Sequence, residues 1–298
     1  MSDPVPGVVC EKCDCKVSGN GENCYNNSSC MGHVSCLDAP NDCPCQVTWD
    51  TPVEASKCNR LDSLKWCFDY GKKINLPTLL EAIKANSQDC VVFIYEEGTV
   101  DWAKVIEPQL TAIQCGNTTA LTYILTRPNV KLEDILMDEA AILKSLPILT
   151  ALHQKGCPST VTTLRHACRG TPSLECITYL CETVKIISNT SHIIDTLLAN
   201  SITCSDYLIS NNPKLVLPSS IISAVEKCNL DTIKYMVAKG ISLESNSVYD
   251  SIYYGKLDVF KYLHSINLSF NRQQVEVLLD KMHDSREEYY EYYYKNMI

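Results

Sequence analysis

An internal repeat constrains the fold of this chain more than any other feature of its sequence. From residue 50 onward the chain matches itself with a period near 28 residues, and eight segments with one shared pattern begin at residues 61, 88, 118, 146, 174, 202, 230 and 257. Apolar residues recur at positions 1, 4, 7 and often 8, which is the stripe of a short amphipathic helix. The sixth position is aromatic in seven segments (Trp66, Phe93, Tyr123, Tyr179, Tyr207, Tyr235 and Tyr262), and it is Ala151 in the segment that begins at residue 146.

A turn and a second apolar segment complete each repeat. The eleventh position supplies residues that tolerate a positive φ and can end a helix: Gly71, Gly98, Gly156, Gly240, Asn212 and Asn267. A second segment follows, such as residues 76–86 and 218–229. One pair of short helices cannot bury its own apolar faces, so neighbouring pairs must stack. We therefore predict an all-α fold, a helix–turn–helix solenoid of about eight units near 28 residues each, over residues 50–283.

Most side chains of this array have a structural interpretation. We interpret the aromatic sixth position as core packing. Six cysteines on helical faces are expected to act as small hydrophobes: Cys67, Cys90, Cys176, Cys181, Cys204 and Cys228. His153 and His264 are expected to be packed or half-exposed. His166 and Cys168 come closest to a nucleophile pair, but two residues apart on a helix they face different sides. The chain is therefore predicted not to be an enzyme.

Parts of the array resemble a known repeat family. NLDTIKYMVAKGISL (229–243) and KLDVFKYLHSINLSF (256–270) resemble the second helix of ankyrin repeats, and TPVEASKCN (51–59) resembles an opening helix. The units are near 28 residues, whereas ankyrin repeats have about 33, and the style is similar to the short, degenerate repeats of large DNA viruses and protists. The resemblance implies an intracellular protein–protein interaction scaffold, in the host cytoplasm if the chain is viral. A generic α-solenoid is the alternative.

The start of the chain is dense in cysteine. Eight of the 18 cysteines lie between Cys10 and Cys45, and the first residues lack the basic and apolar regions of a signal peptide. A reducing compartment is therefore expected, and there such a block indicates metal binding. Thiolate favours Zn²⁺ or Cu⁺, and two Cys-x-Cys pairs favour a cluster. Nine candidate ligands fill two tetrahedral sites, or about three if thiolates bridge: Cys10, Cys13, Cys15, Cys24, Cys30, His33, Cys36, Cys43 and Cys45.

The order of these residues resembles bacterial-type metallothioneins over about residues 8–46. CEKCDC (10–15), CYNNSSCMGH (24–33) and CPC (43–45) resemble their opening strand, their finger and their closing pair. The resemblance implies that these nine residues hold two or three zinc ions, with Cu⁺ or Cd²⁺ as other occupants. Four interpretations stay open: a structural zinc module, a metal-storing or metal-sensing module, a disulfide-bonded knot, and a catalytic zinc site with Glu22 as base, for which no signature is present.

Charge and hydropathy limit the classes of partner that this chain is expected to bind. The formal net charge is −9, which argues against nucleic acid as the main partner. No apolar run approaches the roughly 18 residues that span a bilayer, and we expect a monomer. The Tyr-rich tail, residues 284–298, is interpreted as a cap on the last repeat or as an exposed docking or phosphorylation segment. With the module at residues 1–49, the predicted function is a protein-binding scaffold. The alternative is metal buffering, with the solenoid as localiser.

Overall fold

The fold of the described residues is all-α, as predicted. The computed structural model describes residues 51–97, 101, 104–212, 214–215, 221, 224–243, 246–282 and 287–296. Its secondary-structure elements in these ranges are helices, and the longest, Arg272–Met282, has 11 residues. None of the helices found in these ranges is long and apolar enough to cross a membrane. The predicted Cys-rich module at residues 1–49 lies outside the described residues.

The helices follow one another in pairs, numbered α1 to α18 along the chain. The first eight are α1 (Thr51–Lys57), α2 (Leu61–Asp69), α3 (Leu76–Lys84), α4 (Gln88–Glu97), α5 (Glu107–Gln114), α6 (Thr118–Thr126), α7 (Asp134–Ile142) and α8 (Leu146–Gln154). The others are α9 (Val161–Cys168), α10 (Leu174–Glu182), α11 (Thr190–Leu198), α12 (Ile202–Asn211), α13 (Ala224–Lys227), α14 (Leu230–Ala238), α15 (Ser247–Tyr253), α16 (Leu257–Ser265), α17 (Arg272–Met282) and α18 (Glu287–Asn296).

The even-numbered helices α2 to α16 are the eight repeat segments predicted from the sequence. Each begins at the first residue of its segment and ends one or two residues before the eleventh position. Asparagine N-caps fix two of these starts: Asn117 Oδ1 accepts from the Ala120 N–H at 2.9 Å, and Asn229 Oδ1 accepts from the Thr232 N–H at 2.9 Å. Such caps satisfy backbone donors that the first helical turn leaves unpaired. Local chemistry and the apolar period therefore agree on where these helices begin.

Residues in the left-handed region end most of the helices. Two residues after odd-numbered helices, φ lies between 53° and 71° at Asn59, Asn86, Gly116, Lys144, Gly170, Asn200 and Gly255. Among the predicted eleventh-position residues, Gly71, Gly156, Gly240 and Asn267 also have positive φ. The prediction is wrong for Asn212, whose φ is −132°. There the side chain makes the terminating contact instead, because its amide donates to the Ser188 carbonyl oxygen at 3.1 Å. Gly98 lies outside the described residues.

The chain divides into two compact units. Unit 1 comprises residues up to Leu143 and Pro147–Pro158, and unit 2 comprises Lys144–Leu146 and the residues from Ser159 onward. Within unit 1, α1 packs on α3, α3 on α5 and α5 on α7, while α2 packs on α4 and α4 on α6. Within unit 2, α9 packs on α11, α13 on α15 and α15 on α17, while α10 packs on α12 and α14 on α16. Odd helices thus contact odd helices, and even helices contact even ones.

The core follows three positions of the repeat. The third, fourth and seventh residues of all eight even-numbered helices are buried, as in Cys90, Val91 and Ile94 of α4. The first position, predicted to belong to the apolar stripe, is half-buried or exposed in every one of them. The sixth position is half-buried throughout, so our interpretation of its aromatic residues as core was wrong. The buried face of each even-numbered helix is rotated, relative to the predicted apolar stripe, towards the paired odd-numbered helix. Position 3 therefore lies in the core in place of position 1.

Candidate functional site

The predicted metal ligands, Cys10 to Cys45 with His33, lie outside the described residues, so their arrangement stays a prediction. Among the described residues, no group of three or more His, Cys, Asp or Glu side chains could hold a metal ion. Cys58, at the end of the first repeat's opening helix, is disulfide-bonded. The other nine described cysteines are free.

The free cysteines of the array are packed side chains. Eight are buried and only Cys115 among them is exposed. Burial raises the pKa of Cys67 and of Cys90 to about 12, and that of Cys228 to about 11. Thiols with such a pKa are protonated at neutral pH, and a protonated thiol is a poor nucleophile and a poor metal ligand. Our interpretation of the array cysteines as small hydrophobes is confirmed by their burial.

The residues nearest to a nucleophile pair do not assemble a reactive centre. Cys168 is fully buried, and burial raises the pKa of its thiol well above the usual range. The backbone carbonyl of His166 accepts a hydrogen bond from Lys144 Nζ, so this part of the chain serves to end α9. A thiol that stays protonated cannot attack a substrate without a base that reaches it. The Cys168 side chain therefore packs in the core of unit 2.

A cleft between α15 and α17 in unit 2 is a candidate binding site. It has a volume of about 630 Å³ and is lined by Asn246, Tyr249, Asp250, Asn271, Gln273, Gln274, Val277, Leu278 and Lys281. The two helices are tied together at its edge, since the backbone N–H of Asn271 donates to the Tyr249 hydroxyl at 2.7 Å. Asn271 Oδ1 also accepts from the Gln274 N–H at 3.3 Å and caps α17. These two contacts hold the first turn of α17 against the end of the cleft.

The side chains along α17 supply a varied set of contacts in this cleft. Gln273 and Gln274 are exposed, as is Lys281, and Val277 is 48% exposed. Residues three or four apart lie on one face of a helix, so an amide, an apolar group and a cation follow each other along one edge. A carboxamide offers both a donor and an acceptor, which matches the two polar groups of a peptide unit. The arrangement suits an extended peptide better than a small apolar molecule.

The half-buried aromatic residues link neighbouring even-numbered helices. The Tyr123 hydroxyl donates to Glu96 Oε1 at 3.2 Å, Tyr207 donates to Glu182 at 3.0 Å, and Tyr235 donates to Asp206 at 2.6 Å. Each bond joins a helix to the preceding even-numbered helix of the same unit. Cations lie over two of these rings: the Arg127 guanidinium is 4.1 Å from the Tyr123 centroid, and Lys239 Nζ is 5.2 Å from that of Tyr235. These half-buried aromatic residues therefore connect neighbouring repeats and have a structural role.

Sequence reasoning missed the α15/α17 cleft. Its polar residues come from two separate stretches, residues 246–250 and 271–281, and only the packing of α15 on α17 brings them together. The three amide side chains within residues 271–274, namely Asn271, Gln273 and Gln274, are the local signal that could have indicated it. No model of a known protein family matches this chain, and no curated protein matches it either.

Proposed function

We propose that this chain is an intracellular, non-enzymatic scaffold that binds another protein through a solenoid of short, ankyrin-like helical repeats. The observation that carries the proposal is the amide-lined cleft between α15 and α17, because its exposed carboxamides can pair with a peptide backbone. The packing of odd helices on odd and even on even within each unit supports the repeat character. Binding would then rest on shape and surface contacts without turnover, and the protein would act as a monomer.

A pair of matched double variants tests this proposal. Gln273→Ala with Val277→Glu removes an amide and places a negative charge in the cleft, whereas Lys185→Ala with Ile187→Glu removes a cationic side chain and places the same negative charge at exposed residues elsewhere in unit 2. Val277 and Ile187 are both exposed, so neither change should unfold the array. Affinity purification with quantitative mass spectrometry should find a protein that the natural chain and the Lys185/Ile187 variant retain and the cleft variant loses. If both variants retain the same proteins, the cleft is not the binding site.

We further propose that the N-terminal module, residues 1–49, holds two or three zinc ions on Cys10, Cys13, Cys15, Cys24, Cys30, His33, Cys36, Cys43 and Cys45. The composition of the block supports this, since nine soft ligands with few apolar residues depend on metal to fold. Native mass spectrometry of the reduced protein should show these ions, and a chain that begins at Asp50 should bind none. Masses lower by pairs of hydrogens, without metal, would instead favour a disulfide-bonded knot.

Metal buffering is the alternative function of the same module. In that case the block would exchange Zn²⁺, Cu⁺ or Cd²⁺ with its surroundings, and the helical array would only localise it. Structural zinc resists weak chelators, whereas stored metal is transferred to them. Competition of the full chain with a chelator of graded affinity, followed by native mass spectrometry, separates the two functions. Release of all ions to a weak chelator would favour buffering over the structural role.

A further inference from the structure

Two arginines in unit 2 share a single carboxylate. Arg165 on α9 donates from Nε to Asp195 Oδ2 at 2.9 Å, and Arg169, directly after α9, donates from Nε to Asp195 Oδ1 at 3.2 Å. Asp195 lies on α11, which packs on α9, and its side chain is only 10% exposed. The side chains of Arg165 and Arg169 are 45% and 51% exposed. The carboxylate is therefore held inside the contact between the helices, and both arginine side chains are partly exposed to solvent.

This arrangement leaves hydrogen-bonding capacity and charge unused. A guanidinium carries five N–H donors in a rigid fork, and each arginine uses only Nε on Asp195 among the described residues. Two positive charges and one negative charge leave one positive charge in the trio, on a chain whose formal net charge is −9. Lys144 lies at the same end of α9, but its ammonium donates to the His166 carbonyl and serves the helix terminus. An ordinary structural ion pair needs one arginine, so the second is unexplained by packing.

We propose that Arg165 and Arg169 form a docking site for a carboxylate of an acidic segment of the bound partner, with Asp195 as the residue that positions both guanidinium groups. This inference rests on the proposed scaffold function, since it names the chemistry of the partner. One further carboxylate brings the trio to neutrality, whereas a phosphate monoester would add about two negative charges next to Asp195. Guanidinium forks bind carboxylates through two parallel hydrogen bonds, which makes the site selective as well as attractive.

An apolar neighbour specifies the segment further. Val161, the first residue of α9, is 55% exposed and lies one helical turn before Arg165 on the same face. An acidic segment bound to the arginines would therefore place an adjacent apolar side chain on Val161. The expected sequence is one or two acidic residues next to a leucine-like residue. Because the two arginine side chains are partly exposed, binding should weaken as salt is added.

The test uses the full chain and a fluorescein-labelled peptide in which glutamates flank leucine, with the glutamine version of that peptide as a neutral probe. Fluorescence polarisation should show binding of the acidic peptide alone. Arg165→Gln with Arg169→Gln should weaken it by at least about tenfold, which corresponds to about 1.4 kcal/mol. Lys57→Gln with Lys84→Gln removes the same charge from exposed lysines of unit 1 and should change the affinity far less.

A second variant keeps the proposal testable if loss of both arginines unfolds the protein. Arg165→Lys with Arg169→Lys retains the charge and a partner for Asp195 but lacks the fork, so it should also bind more weakly. Equal losses in the arginine and Lys57/Lys84 variants would overturn the site, as would tighter binding of a phosphoserine peptide than of the glutamate peptide. These outcomes leave the α15/α17 cleft untouched, since the Gln273/Val277 variant tests the scaffold function through a separate surface.

Discussion

At the scale of single residues, the buried imidazole of His192 is held in one neutral tautomer. Its Nδ1 accepts from the backbone N–H of Asn189 at 2.9 Å, which closes a capping box at the start of α11, and its Nε2 lies 3.1 Å from the Val161 carbonyl oxygen. A protonated ring could not accept at Nδ1. Burial lowers the pKa of His192, and this outweighs the Val161 carbonyl and the nearby Asp195, which act in the opposite direction.

This environment predicts that His192 makes the protein less stable in mild acid. Because the folded-state pKa lies below the ordinary value of 6.5, the unfolded chain binds the proton first as the pH falls. Stability is therefore fully present above about pH 6.5 and decreases as the pH falls towards the folded-state value. His192→Gln keeps a side-chain acceptor for the capping box but loses the packing of the buried ring, so it should be less stable by about 1 kcal/mol at pH 7.5. It should lose less stability than the natural chain between pH 7.5 and 5.5.

Urea unfolding at both pH values measures this difference. His153→Gln serves as the control, because His153 is half-buried on α8, which belongs mainly to unit 1, whereas the capping box of α11 belongs to unit 2. The control should keep the pH dependence of the natural chain. If His192→Gln keeps it as well, the imidazole is not the group responsible.

Lys185 occupies a backbone conformation that suits glycine better than lysine. Its φ is 67°, and its side chain is exposed after α10. The left-handed region costs an L-residue about 1–2 kcal/mol, which glycine avoids. Glycine in turn loses about 0.5–1 kcal/mol more chain entropy on folding. Lys185→Gly should therefore raise the free energy of unfolding by about 0.5 kcal/mol, the difference between these two effects. Lys155→Gly, one residue before the positive φ of Gly156, should lower it in the same urea titration.

At the scale of elements, α18 buries part of the Tyr-rich tail. Tyr293 is fully buried, and Tyr289 is 4% exposed, with its ring 5.5 Å from that of Phe260 on α16. The Tyr293 hydroxyl donates to Glu276 Oε1 on α17 at 3.2 Å. Tyr293→Ala should therefore cost about 3 kcal/mol of stability, as expected for a large buried aromatic residue. Tyr294→Ala, at a position 40% exposed, should cost little. Equal unfolding midpoints for the two variants would show that α18 does not stabilise the array.

The element scale also shows what the sequence could predict. The starts of the even-numbered helices follow from local signals, namely the apolar period and caps such as Asn117 and Asn229. The face that each helix buries depends on its neighbours, so the burial of position 3 and the half-burial of position 6 were not predictable from one segment. The α15/α17 cleft depends on a contact between Tyr249 and Asn271, 22 residues apart. Because the two stretches meet only in the folded chain, the composition of either stretch alone does not indicate the site.

At the scale of the whole molecule, the helical array has its own core and should not depend on metal. The helices from Thr51 onward bury one another within their units, through positions such as Leu64 and Leu121 that neighbouring repeats cover. The proposed zinc ligands all precede Thr51 in the sequence. We therefore expect a chelator under reducing conditions to remove zinc from the full chain without a change in far-UV ellipticity. Zinc release followed with a colorimetric dye, together with circular dichroism of the same sample, measures both quantities. Loss of helical signal in step with zinc release would show instead that the array folds only with its metal-bound module.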